Sequence, residues 1–168
     1  IRRRSYTIAA GAVLDSADAQ GVLFAHGGFP GGHALYLKDG KLHYVYNWLG
    51  EKIQTVTSSR TIDAGRHLYV AEFEKTSDDP KTASAIGTLT LFIDTEAVGS
   101  AEIMTQPGTF TLTGDGLCVG RDSASPVSRD YQAPFPFTGG TIERVVVDVS
   151  GDAYVDHEKE AMLWLKRD

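Results

Sequence analysis

The chain of 168 residues holds one cysteine, Cys118. A single thiol excludes an internal disulfide and any zinc site built from several thiolates. Cys118 lies in the apolar run Gly116-Leu117-Cys118-Val119-Gly120 and reads as a buried, inert thiol. Positive charge is in deficit, with 16 Lys and Arg against 22 Asp and Glu for a net charge of −6, so no nucleic-acid partner is expected. The basic run Arg2-Arg3-Arg4 reads as a solvated end. Apolar runs are only a few residues long, which excludes a membrane-spanning helix. No amphipathic stretch of about ten residues separates the apolar runs before residue 150, so crossover helices and a parallel sheet are not expected. No internal repeat of a propeller or solenoid kind is visible. The chain opens at Ile1 without a methionine or a signal-like segment, and is expected to be a piece of a longer protein with its compartment unassigned.

What is present is a two-residue period. Apolar and β-branched residues alternate in Ser5–Leu14, Gly21–Ala25, Ala34–Lys38, Leu42–Leu49, Ile53–Thr57, Leu68–Glu74, Thr88–Ile93, Val98–Met104, Phe110–Leu112, Leu117–Gly120 and Ile142–Val149. Asp39-Gly40, between Lys38 and Lys41, supplies the positive φ angles of a tight hairpin. About ten short strands in one domain of this length predict an all-β fold: two packed antiparallel sheets, a sandwich or jelly roll. The whole chain, 1–168, is read as one domain, with the sandwich over about 5–150 and a C-terminal α-helix over 152–167. Acidic residues open that last segment, Lys166 and Arg167 close it, and Met162, Trp164 and Leu165 give it an apolar surface. Asp122–Thr138 is a long stretch without strand pattern. It is marked by Pro126, Pro134 and Pro136 and by the aromatics Tyr131, Phe135 and Phe137, which predict a loop pinned onto the sandwich.

Several constellations bear on chemistry. Glu72 and Glu74 share one face of a strand, as the paired carboxylates of sandwich glycosidases do, but Glu72–Ser77 reads Glu-Phe-Glu-Lys-Thr-Ser and lacks the third carboxylate of a Glu-x-Asp-x-x-Glu pattern. A solvated strand face is the alternative. His26 and His33 bracket Gly27-Gly28-Phe29-Pro30-Gly31-Gly32 and, with His43, suggest a metal, though no fourth ligand stands at a recognisable spacing and the glycines read as a turn. Asp115, Asp122 and Asp130 are candidates for a calcium site without the EF-hand order. There is no Gly-x-Ser-x-Gly elbow, and Gly114-x-Gly116-x-x-x-Gly120 has the wrong spacing for a dinucleotide. No catalytic residue and no metal ligand are assigned. Tyr44, Tyr46 and Trp48 share a strand face and form either a platform that stacks on sugar rings or the inner face of the sandwich.

Two long segments resemble the C-terminal domain of bacterial arylsulfatases. One is Leu35-Tyr36-Leu37-Lys38-Asp39-Gly40-Lys41-Leu42-His43-Tyr44-Val45-Tyr46-Asn47-Trp48-Leu49-Gly50. The other runs from Val119-Gly120-Arg121-Asp122-Ser123 through Asp130-Tyr131 to Pro134-Phe135-Pro136-Phe137-Thr138-Gly139. Arg4-Ser5-Tyr6-Thr7-Ile8 is similar to the start of that domain. The resemblance implies a concanavalin-like, laminin G-like sandwich. It also implies a parent that hydrolyses sulfate esters with a formylglycine and a divalent metal, typically calcium. The Cys/Ser-x-Pro-x-Arg motif that yields formylglycine is absent: in Ser125-Pro126-Val127-Ser128-Arg129 the proline comes one position early. The resemblance therefore implies a non-catalytic accessory domain without a cofactor of its own, packed on an upstream catalytic domain. Arg121, Asp122, Tyr131, Phe135, Phe137 and Trp164 are the candidates for that contact. A carbohydrate-binding, lectin-like module that takes a glycan is the alternative.

Overall fold

Alternating burial builds the first sheet. In the computed structural model, which describes residues 3–107, 116–123 and 125–149, β1 (Tyr6–Leu14) buries every second residue, Tyr6, Ile8, Ala10, Ala12 and Leu14. The other strands are β2 (Gly21–Gly28), β3 (Gly31–Lys38), β4 (Lys41–Trp48), β5 (Lys52–Thr61), β6 (Gly65–Asp78), β7 (Ala85–Ile93), β8 (Glu96–Met104), β9 (Leu117–Val119) and β10 (Gly140–Asp148). They form two five-stranded sheets, β10-β1-β6-β7-β8 and β5-β4-β3-β2-β9, and every neighbouring pair is antiparallel. The all-β sandwich expected from the alternation is what the chain forms. The expected strand Phe110–Leu112, the helix over 152–167 with Trp164, and Asp115 lie outside the described residues.

The main core lies between the sheets. Ile8, Tyr69, Ala71, Phe73, Leu89 and Leu91 from the first sheet meet Leu23, Phe24, Leu35, Leu37, Leu42 and Tyr44 from the second. Each buried Leu, Ile or Phe among them contributes about 1.5–3 kcal/mol on leaving water. In the middle of the second sheet β3 does not alternate: all of Gly31–Leu37 is buried. The outer face of this sheet carries a separate apolar cluster, Val22, Ala25, Ala34, Tyr36 and Val45, beneath Val127 and Tyr131 of the 120–139 connection. A bulge in β2 serves both faces. Val22 pairs with Tyr36 and Phe24 with Leu35, so Leu23 is the extra residue. Leu23 and Phe24 then join the inner core while Val22 and Ala25 join the outer cluster.

Asp39 and Gly40 both have positive φ, 49° and 70°, and close the β3–β4 hairpin between Lys38 and Lys41 as expected. The glycines between His26 and His33 do something else. The turn is only Phe29-Pro30, and the glycines are paired inside the ladder, Gly27 with Gly32 and Gly28 with Gly31. A Cβ at Gly32 would lie 2.4 Å from the His26 carbonyl oxygen, so the pairing itself requires glycine.

These two kinds of glycine separate by mutation. Gly40→Ala meets nothing within 4 Å and carries only the cost of a left-handed backbone, about 1–2 kcal/mol. Gly32→Ala drives a methyl into a main-chain carbonyl and is expected to cost more than twice as much. Urea titrations of both variants measure the difference, and equal midpoints would show that the β2–β3 pairing tolerates a side chain.

Candidate functional site

The expected aromatic platform is inside the protein. Tyr44 and Tyr46 point between the sheets with 0% and 5% of their surface exposed, and Trp48 is half-buried with Nε1 donating to Ser84 Oγ at 3.1 Å. The hydroxyls are used internally. Tyr6 and Tyr44 are 2.5 Å apart, Tyr44 lies 3.1 Å from His33 Nδ1, and the Gln106 N–H donates to Tyr46 at 2.8 Å. Two of the three rings therefore cannot stack on a sugar. The sequence could not separate the readings, because period-two alternation is identical for an inward and an outward aromatic face.

The histidines do not converge. His33 is enclosed by the rings of Tyr6, Phe24, His26, Tyr44 and Tyr46 at 5.2–6.1 Å. Burial, then the neighbouring His26, pushes its pKa down to about 3. Burial also lowers His26 at the rim. His43 is on the opposite face of the sheet, stacked on Tyr36 at 5.0 Å. Its Nε2 lies 3.1 Å from the Lys38 carbonyl oxygen and its Nδ1 lies 3.0 Å from Thr57 Oγ1. A carbonyl only accepts, so neutral His43 carries its proton on Nε2 and Thr57 donates to Nδ1. Burial is the main cause that lowers the His43 pKa.

The 120–139 connection is pinned down, as its aromatics suggested. Asp122 Oδ2 accepts from Val127 N at 2.8 Å and from the Tyr131 hydroxyl at 2.5 Å. Tyr131 stacks on Phe135 at 5.1 Å and meets Tyr36 edge-on at 5.1 Å. Asn47, fully buried, donates to the carbonyls of Phe29 and Val127 at 3.0 Å each and accepts from Gly50 N at 2.8 Å. Asp130 accepts from Tyr36 at 3.0 Å and Lys38 at 2.8 Å. Burial would raise its pKa, but these two donors hold it low. Of the contact candidates, Asp122 and Tyr131 are thus buried against their own sheet, Phe135 and Phe137 are half-buried, and Arg121 is exposed. Cys118 is half-buried, its Sγ 3.0 Å from Ser123 Oγ.

Glu72 and Glu74 stand exposed on the outer face of the first sheet, opposite Thr90 and Thr88, with Glu102 across from Thr88. Asp122 and Asp130 serve separate protein donors. Among the described residues no group of three or more His, Cys, Asp or Glu is arranged to hold a metal ion.

One concavity was not anticipated. The free edges of β5 and β8 run side by side and flank a groove of about 480 Å³. Thr55, Thr57, Ser59, Thr90 and Ser100 line it over Val56 and Val98. Gln54 closes one end as a stand-in strand, Nε2 donating to the Met104 carbonyl and Oε1 accepting from Met104 N, both at 2.8 Å. The Arg60–Glu96 ion pair at 3.0 Å spans the edges at the other end. Threonines on β5 were legible in the sequence, but their partners on β8 are set by tertiary pairing.

Two five-stranded antiparallel sheets around this core define a concanavalin A-like, laminin G-like sandwich. Among solved structures, the chain is similar to the mouse laminin α1 chain, domains LG4-5, at 15% identity and a TM-score of 0.56, over 88% of this chain and 36% of that one. It is also similar to the native heptameric SAP-like pentraxin from Limulus polyphemus, at 12% identity and a TM-score of 0.51, over 86% of this chain and 63% of that one. The chain thus spans about a third of the laminin structure and under two thirds of the pentraxin. No protein-family model matches the chain. No curated protein matches it either, so the arylsulfatase resemblance has no support from these comparisons.

His33 makes stability acid-sensitive in a defined window. Below pH about 6.5 the unfolded chain gains a proton on this residue while the folded chain stays neutral, down to about pH 3. Its contribution to stability is therefore lost as pH falls through that window, by about 1.4 kcal/mol per pH unit. His33→Gln is expected to flatten the slope of unfolding free energy between pH 6 and 4. An unchanged slope would place the acid sensitivity elsewhere.

Proposed function

We propose that the chain is a non-catalytic, lectin-like recognition domain that binds a glycan. The supporting observation is how the sandwich spends its faces. The inner faces are core, the outer face of β2, β3 and β4 is covered by 120–139, and Glu72 and Glu74 stand on an open sheet face rather than in a cleft. Carboxylates of a glycosidase act in a substrate-binding cleft, on opposite sides of the scissile bond. With the inner faces packed, the middle of the second sheet covered and the open face of the first sheet acidic at Glu72 and Glu74, edges and rims are the surfaces best placed for recognition, and the likeness to laminin G and pentraxin sandwiches is in keeping with that by analogy of fold. Calorimetry of the chain against neutral and sulfated oligosaccharides, with and without calcium, is expected to show binding without turnover. Release of sugar from a β-glucan that Glu72→Gln abolishes would overturn the reading.

A second reading keeps residues 1–168 as the accessory domain of an arylsulfatase. Its support is that Val119–Gly139, which carries much of the resemblance, forms the cover over the second sheet and leaves Arg121 and Arg129 exposed, with the Arg129 guanidinium 5.6 Å from the exposed Phe29 ring. Adding the chain to an arylsulfatase catalytic domain that lacks its own C-terminal region is expected on this reading to give a complex of higher thermal stability. Absence of a complex removes it.

A further inference from the structure

We infer that the groove between β5 and β8 binds an uncharged saccharide, an inference that rests on the lectin-like reading. The hydroxyl protons decide its chemistry. Ser100 Oγ donates to the Leu89 carbonyl at 3.1 Å, so in the 3.2 Å contact of Thr90 Oγ1 with Ser100 Oγ it is Thr90 that donates. Thr57 Oγ1 donates to His43 Nδ1. Three of the five lining hydroxyls therefore have their protons committed to the protein and turn lone pairs outward. Such an array accepts hydrogen bonds and suits a ligand rich in hydroxyl donors.

Charge points the same way. The described lining contains no ionisable side chain. Glu102 follows on β8, and Glu72 and Glu74 lie on the adjoining sheet face, so an anionic glycan would meet both lone pairs and carboxylates. The volume is within the range of small-ligand sites, about 300–1,000 Å³. The walls are strands held by the Gln54–Met104 pair and the Arg60–Glu96 bridge, so little ordering is left for the ligand to impose.

An extended peptide is the rival occupant of two free edges. It would need an opening of about two strand spacings, roughly 9.5 Å. At Gly99 the edges already touch: a Cβ there would lie 2.8 Å from the Thr57 carbonyl oxygen. A strand cannot enter between them, whereas a pyranose can lie across the hydroxyls above.

The test is titration of the 15N-labelled chain with neutral gluco-, manno-, xylo- and galacto-oligosaccharides, with a sulfated disaccharide and an unstructured Ser/Thr-rich peptide as comparisons. A neutral sugar is expected to move the amides of Thr55–Ser59 and Gly99–Ala101. Thr90→Val combined with Ser100→Ala should weaken it about tenfold or more, with thermal stability nearly unchanged because Ser100 is exposed and Thr90 half-buried on the outer face of the sheet. Sugar binding that shifts the rim at Phe29 and Arg129 instead would overturn the site and leave the lectin-like reading standing. Preference for the sulfated sugar or the peptide at the groove would overturn the ligand class. No binding of any sugar at millimolar concentration would overturn both the site and the reading.

Discussion

The middle of the second sheet, β3 with the adjoining β2 and β4, is buried on both faces, and the rest of the molecule is arranged around that constraint. A strand buried on both sides cannot alternate, which is why Gly31–Leu37 reads as an unbroken buried run while β1 and β7 alternate cleanly. The cover over the outer face has to be made by chain that forms no strands, so its main-chain groups need other partners. Asp122, Asn47 and the carbonyls of Pro134 and Phe135 supply them: Asp122 N donates to Pro134 O at 2.8 Å and Val22 N to Phe135 O at 3.1 Å. The buried carboxylate is thus explained by structure, as the clasp that turns an irregular segment into a lid of fixed shape.

The inner face meets a different demand. Five aromatic or imidazole groups with polar tips, Tyr6, His33, Tyr44, Tyr46 and Tyr69, lie between the sheets. A hydroxyl in an apolar interior costs several kcal/mol unless bonded. The chain Tyr6–Tyr44–His33 satisfies this for its members, with the two hydroxyls 2.5 Å apart and the Tyr44 hydroxyl 3.1 Å from His33 Nδ1. Burial, with the neighbouring His26 behind it, keeps that imidazole neutral. The same residues that looked like binding groups in the sequence are therefore the polar skeleton of the core.

What could be read in advance follows from the range of the interaction. Strand positions and the Asp39-Gly40 turn depend on neighbours a few residues apart, and they were legible almost throughout. The strand ends extended further than the pattern suggested, as in β6 to Asp78 and β5 to Thr61, because pairing with a long neighbour carries polar residues into the ladder. The glycines after His26 read in sequence as a turn joining adjacent strands, and the turn is there, but the glycines lie in the paired strands beside it because close strand approach and turn geometry favour the same residue. Whether Tyr44 and Tyr46 faced inward depended on which of two sheet faces the chain later covers, a fact set by residues far away.

The β5–β8 groove shows the same limit from the other side. Its hydroxyls come from two segments, 55–59 and 90–100, more than thirty positions apart, and each alone is an ordinary β-strand surface residue. What makes them a set is the bulge in β8: Leu91 pairs with Gly99 and Phe92 with Ala97, so Val98 is the extra residue and turns into the core. That turn swings Gly99 against Thr57 and brings the two edges together without hydrogen-bonding them into one sheet. An exposed edge is a hazard for unwanted pairing, and a bulge and a capping side chain such as Gln54 are ordinary defences. The defences close the seam to strands, yet leave its lone pairs in water along the top. The feature that protects this sandwich from its own kind of structure is thus also what gives it a surface for hydroxyl donors.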